Sequence, residues 1–176
     1  MLIEGCTRAR FRQAAPGFAV LHLACHGTME PELRDPLKSS WLVLAPDGPG
    51  EPVDLDDHRT DSQHQFLTAH AVHGLGHLSA DLVFLNACVS GRFVEPMRGE
   101  VGGFWRAFLV AGARSLIATL VYADPDAAQQ IAERFYREWL AGASKAEALR
   151  RAQLALRNDR PHPAHWALHA LIGDGS

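Results

Sequence analysis

FAVLHLACHG, residues 18–27, and DLVFLNACVSG, residues 81–91, decide the fold. Each begins as a short run of branched and aromatic residues. Each ends on a chemically active side chain beside glycine: His26 with Gly27, and Cys88 with Gly91 close behind. A third run, RSLIATLV at 114–121, has the same composition. Unbroken apolar runs of this length read as strands buried on both faces, the mark of a parallel sheet. Ligands in such sheets sit at the carboxyl ends of the strands. His26 and Cys88 therefore fall where chemistry is expected.

The intervening segments read as helices. In EVGGFWRAFLVAGA (100–113), Val101, Phe104, Trp105, Phe108 and Leu109 recur at helical spacing, and Gly102 and Gly103 allow a close approach to the sheet. In DPDAAQQIAERFYREWLAG (124–142), Asp124 suits an N-cap, Pro125 the first helical position and Gly142 the stop. Ser144 and Glu147 form a capping box for the next helix, which buries Leu149, Ala152 and Leu156. WALHALI, at 166–172, closes the chain as an edge strand, and WLVLA, at 41–45, suggests a short hairpin. Residues 46–64, rich in Asp, Gly, Pro and His, read as a surface loop, and 67–75 as a short helix. Alternating strands and helices predict a three-layer α/β/α fold with a mostly parallel sheet, one domain across residues 1–176.

The bulk properties exclude several classes. The chain has 176 residues, 47% hydrophobic and 21% charged, with a formal net charge of −3. Neither nucleic acid nor an anionic membrane is implied as an obligatory partner. No apolar run is long enough to span a bilayer, and MLIEGCTRARFRQ lacks the apolar core of a signal peptide. Three cysteines, Cys6, Cys25 and Cys88, fit a reducing, cytoplasmic setting better than a disulfide framework.

A cysteine and a histidine at the ends of neighbouring strands make a nucleophile and a base. The thiolate is the attacking form. The backbone N–H groups of Gly27 and Cys88 are candidate oxyanion donors. No third member is evident, so a dyad is expected. Cys6 and Cys25 read as small core residues. His70, His73 and His77 are at ligand-like spacing, but Gly74 and Gly76 break the helix before His77; a solvated helix and loop is the preferred reading and no metal is expected. No phosphate loop is present, and no cofactor is implied.

LHLACHG, DLVFLNACVSG, GEVGGFWRAFLVAGARSLIATL, FYREWLAGASKAEALRRAQLALR and HPAHWALHALIGD, in that order, resemble the CHAT domain, a caspase-like family related to separase. The resemblance covers about Gly5 to Asp174. It implies a caspase-type fold and a cysteine endopeptidase with His26 and Cys88 at the catalytic positions. An acidic residue after the third strand would bind a basic P1 side chain, with Asp124, Asp126 and Glu100 as S1 candidates. Val121 and Tyr122 stand where the family often has tryptophan, and the usual N-terminal strand and hairpin are short or missing. The implied partners are a protein substrate and a regulatory or activating protein or domain, in a setting such as bacterial signalling or immunity. The alternative is a catalytically silent CHAT-fold module that serves protein interaction.

Overall fold

A computed structural model describes residues 5–29, 37, 40–46, 66–88 and 103–176. Along the chain the strands are β1 (Val20–Ala24), β2 (His26–Met29), β3 (Ser40–Val43), β4 (Phe66–Thr68), β5 (Leu82–Asn86), β6 (Ser115–Thr119) and β7 (His169–Gly173). The helices are α1 (Arg8–Ala14), α2 (Ala69–His73), α3 (Phe104–Val110), α4 (Pro125–Leu140), α5 (Lys145–Asp159) and α6 (Pro163–Trp166).

The main sheet has the order β1-β5-β6-β7. β1, β5 and β6 are parallel, and β7 returns antiparallel at the edge. Helices cover both faces. Trp105, Phe104 and Phe108 of α3 join Val83, Leu85 and Leu116 in one core. Ile131 and Phe135 of α4 and Leu149 and Leu156 of α5 join Leu82, Phe84 and Ile117 in the other. Alternate residues of β5 and β6 thus feed opposite cores, as strand geometry requires. Burying each large side chain contributes about 1.5–3 kcal/mol. The expected α/β/α fold with a mostly parallel sheet is the one observed.

The helix boundaries follow their capping chemistry. Asp124 caps α4 by accepting from the N–H groups of Asp126 and Ala127, with Pro125 at the first position. Ser144 caps α5 by accepting from Glu147 N–H. The Glu147 carboxylate turns instead to Arg150 and Arg151, so only half of the capping box forms. Gly103 is the N-cap of α3 at φ 77°, a left-handed value that disfavours side chains. At the amino ends of the strands, Lys145 is 2% exposed and donates to the Asp81 carboxylate and the Asp174 carbonyl, tying α5 to both edges of β6.

Two expectations change. The strand read at 18–25 ends at Ala24, and His26 opens β2 instead of closing β1. A bend at Cys25 separates them. β2 belongs to a second sheet, β2-β3-β4, antiparallel throughout. The hairpin expected at WLVLA is β3, paired on both sides. The second change is burial. β5 and β6 are buried on both faces, apart from half-buried Asn86. β1 is not: Val20, His22 and Ala24 are exposed, and only Leu21 is fully buried. β1 is an edge strand among the described residues, so half of its apolar pattern has no cover.

Candidate active site

β1 and β5 pair in parallel with an unbroken register, from Val20 opposite Leu82 to Ala24 opposite Asn86. Every partner on β5 lies 62 positions after its partner on β1, and Cys88 lies 62 after His26. The pairing ends at Ala24 and Asn86, two residues before each of them, and the chain then bends at Cys25 so that His26 opens β2. His26 is exposed and Cys88 half-buried.

A contact beyond the strands fixes the junction. A Cβ placed on Gly27 would stand 2.8 Å from the Cys88 carbonyl oxygen, 3.1 Å from Ala87 Cβ and 3.4 Å from Leu42 Cδ2. The absence of a side chain at Gly27 lets the start of β2 lie directly on the Ala87–Cys88 backbone. β2 is itself braced, with His26 opposite Val43 and Gly27 opposite Leu42 on β3. Buried Leu42 and Trp41 anchor that strand. His26 is thus held in a strand of the small sheet whose next residue, Gly27, touches the end of the large one.

The cysteine end is braced from the other side. The Thr119 hydroxyl, fully buried at the end of β6, donates to the Ala87 carbonyl. Thr119 escaped the sequence reading. Its signal was the second of two hydroxyls in the otherwise apolar run SLIATL, and threonine's strand propensity masked it.

The other thiols have a different character. Burial pushes Cys25 up to about 12, with Cys6 adding to the effect, and burial raises Cys6 as well. Both pack against the apolar core on the α3 side of the sheet. As thiols rather than thiolates they are poor nucleophiles.

The acidic candidates are placed unequally. Asp124 accepts from two N–H groups of its own helix, lies 3.1 Å from Arg160 and stands 3.6 Å from His165. Desolvation pushes its carboxyl up. The bonds from Ala127 and Asp126 and the charges of Arg160 and His165 outweigh that and hold it below its ordinary value. Its charge is already committed within the fold. Asp126, in the first turn of α4, is exposed. Glu100 and residues 47–64 of the expected surface loop lie outside the described residues. His70 and His73 lie on α2, with His77 in the segment that follows. Among the described residues no helix is long and apolar enough to cross a membrane.

A CHAT domain model matches residues 2–174. The chain belongs to the CHAT domain family. That places it among folds related to the caspase-like cysteine peptidases, in keeping with its three-layer architecture. No curated protein matches the chain.

Proposed function

We propose that this CHAT domain is a cysteine endopeptidase acting through a His26–Cys88 dyad. The observation that carries the reading is the seating of Gly27 on the Cys88 carbonyl, which holds the residue beside the imidazole against the residue bearing the thiol. The parallel pairing of β1 with β5, which ends two residues before His26 and Cys88, supports it.

In this mechanism His26 takes the Cys88 proton, and the thiolate sulfur attacks the scissile carbonyl carbon. The carbonyl π electrons move to oxygen, and the N–H groups of Gly27 and Cys88 stabilise the oxyanion. On collapse the C–N bond breaks, and the imidazolium gives its proton to the leaving amine. Water, deprotonated by His26, then attacks the thioester carbon. The acid product leaves and Cys88 regains its proton. Two groups suffice for this cycle, since each proton taken by His26 is returned. Substrate preference is for Arg or Lys at P1, because a desolvated cation needs a carboxylate partner. Asp124 is largely neutralised by Arg160, so Asp126 and Glu100 carry this part of the proposal. The setting proposed is cytoplasmic.

A peptidyl acyloxymethyl ketone tests the dyad. Labelling is expected at Cys88, lost in Cys88→Ala and strongly slowed in His26→Ala, while Cys25→Ala labels like the wild type. Labelling at Cys25, or at Cys88 at an unchanged rate without His26, sinks the mechanism. Cys88 left unlabelled in a folded wild-type chain would favour the silent interaction module.

A further inference from the structure

Asp124 offers its two carboxylate oxygens to different partners. Oδ1 accepts from the N–H groups of Asp126 and Ala127 and so starts α4. Oδ2 faces two basic side chains, the Arg160 guanidinium at 3.1 Å and the His165 imidazole at 3.6 Å. The cap therefore stands without Arg160, and Oδ2 is a separate seat for a cation. The positive end of the α4 dipole favours a charged carboxylate there.

The seat follows the carboxyl end of β6. At that end Thr119 donates to the Ala87 carbonyl, next to Cys88, and the Leu120 N–H donates to the Leu168 carbonyl. Asp124 comes five residues after Thr119, at most about 18 Å of chain.

The cation comes from the far end of α5. Arg160 is the C-cap of that helix, and its N–H donates to the Leu156 carbonyl. The next carbonyl, of Pro161, accepts from Trp166 Nε1, and Arg157 lies over the Trp166 ring at 5.9 Å. These contacts hold the backbone that presents the guanidinium to Asp124. The ion pair itself is open to water, with its side chains 35% and 37% exposed. A pair at that exposure is weak, so a second guanidinium can take over the carboxylate with little loss. Neither helix end depends on the pair, since α4 is capped through Oδ1 and α5 ends on a backbone bond.

A guanidinium on Oδ2 is chemically what a substrate arginine would bring. We infer that Arg160 is a specificity-determining residue, which fills the Asp124 seat with the chain's own guanidinium and so holds down the preference for basic P1 residues. The inference rests on the peptidase reading above for its substrate, though not for the seat. In the wild-type chain Asp124 adds nothing to P1 selection. Without Arg160 it joins Asp126.

The first test is kcat/KM of the whole chain on matched Arg, Lys and Leu substrates. Arg160→Gln should raise the Arg-to-Leu ratio about fivefold, the scale of one exposed ion pair. Arg160→Lys keeps a cation on the seat and should stay near the wild-type ratio. Arg160→Gln combined with Asp124→Asn should return to it. Arg134→Gln breaks the comparable pair with Asp159 elsewhere on α4 and α5, removes the same charge, and should leave the ratio unchanged. That control separates the seat from long-range steering by net charge. The second test uses agmatine, a guanidinium without a scissile bond. It should shift the amide resonances of Asp126 and Ala127 in Arg160→Gln at about fivefold lower concentration than in the wild type. A ratio unmoved by Arg160→Gln overturns the inference, as does a rise that Asp124→Asn fails to reverse. Agmatine that titrates both chains alike overturns it too. If no chain turns over any substrate, the peptidase reading fails, and the agmatine comparison alone decides the seat.

Discussion

Gly27→Ala places one methyl group at the junction of the two sheets. The new Cβ would lie 2.8 Å from the Cys88 carbonyl oxygen, whereas ordinary contact begins at 3.4 Å. One of the two backbones must therefore retreat by about 0.6 Å, the difference between those distances. The tight contact is backbone, so no rotamer relieves it, and Ala87 Cβ at 3.1 Å blocks the sideways escape. Overpacking of this kind costs about 1–3 kcal/mol in stability. The effect on chemistry should be larger in proportion. Misplacement by about 1 Å can cost about a hundredfold in rate, so a 0.6 Å retreat should cost about tenfold. The assay is the second-order rate of Cys88 labelling, measured beside the melting temperature. Gly17→Ala is the control, because a Cβ there meets nothing within 4 Å. It should leave both quantities unchanged. A Gly27→Ala chain that melts like the wild type and labels within about twofold of it would refute the reasoning, since the junction would then tolerate a displacement that catalysis cannot.

Thr119→Val removes the donor to the Ala87 carbonyl at nearly constant volume. It should cost about 1–3 kcal/mol by chemical denaturation and slow Cys88 labelling, and a fully stable variant would dismiss the brace. Acid should destabilise the fold through His169, which burial, helped by the nearby His22, depresses to about 4. The unfolded chain binds that proton near 6.5, so the contribution is complete above pH 6.5 and is lost as pH falls towards 4, by of order 3 kcal/mol. His169→Leu should flatten urea-midpoint profiles across that window, and an unchanged slope would clear His169. On matched Arg, Lys and Leu substrates, Asp126→Asn should lower kcat/KM for the basic pair only. Asp124→Asn should leave P1 preference intact, because Asn caps about as well and the lost charge belongs to Arg160.

The parts of the fold legible in the sequence are those set by local chemistry. Asp124-Pro125 and Ser144 start their helices because side-chain oxygens satisfy free N–H groups within a few residues. β5 and β6 declare themselves because both faces are buried. The placement of His26 depended on something less local. FAVLHLACHG carries no mark of the bend at Cys25, and the small sheet that receives His26 is assembled from β3 and β4, separated from β2 along the chain. Gly27 was readable as a glycine beside a histidine. That it must be glycine follows only from where Ala87 and Cys88 lie.

β1 shows the limit most clearly, because there the pattern and the environment disagree. Val20, Leu21, Leu23, Ala24 and Cys25 form a run suited to burial on two faces, and β5 shows what that looks like when it is met. β1 meets it on one face and on one edge. Two polar groups sharpen the point. His22 interrupts the apolar run with its ring stacked on Tyr136, and the Tyr136 hydroxyl is buried without a hydrogen-bond partner among the described residues. A buried hydroxyl left unsatisfied costs about 1–3 kcal/mol. Tyr136→Phe should therefore stabilise the chain by about 1–3 kcal/mol against urea, and an unchanged midpoint would show that the hydroxyl carries no such cost.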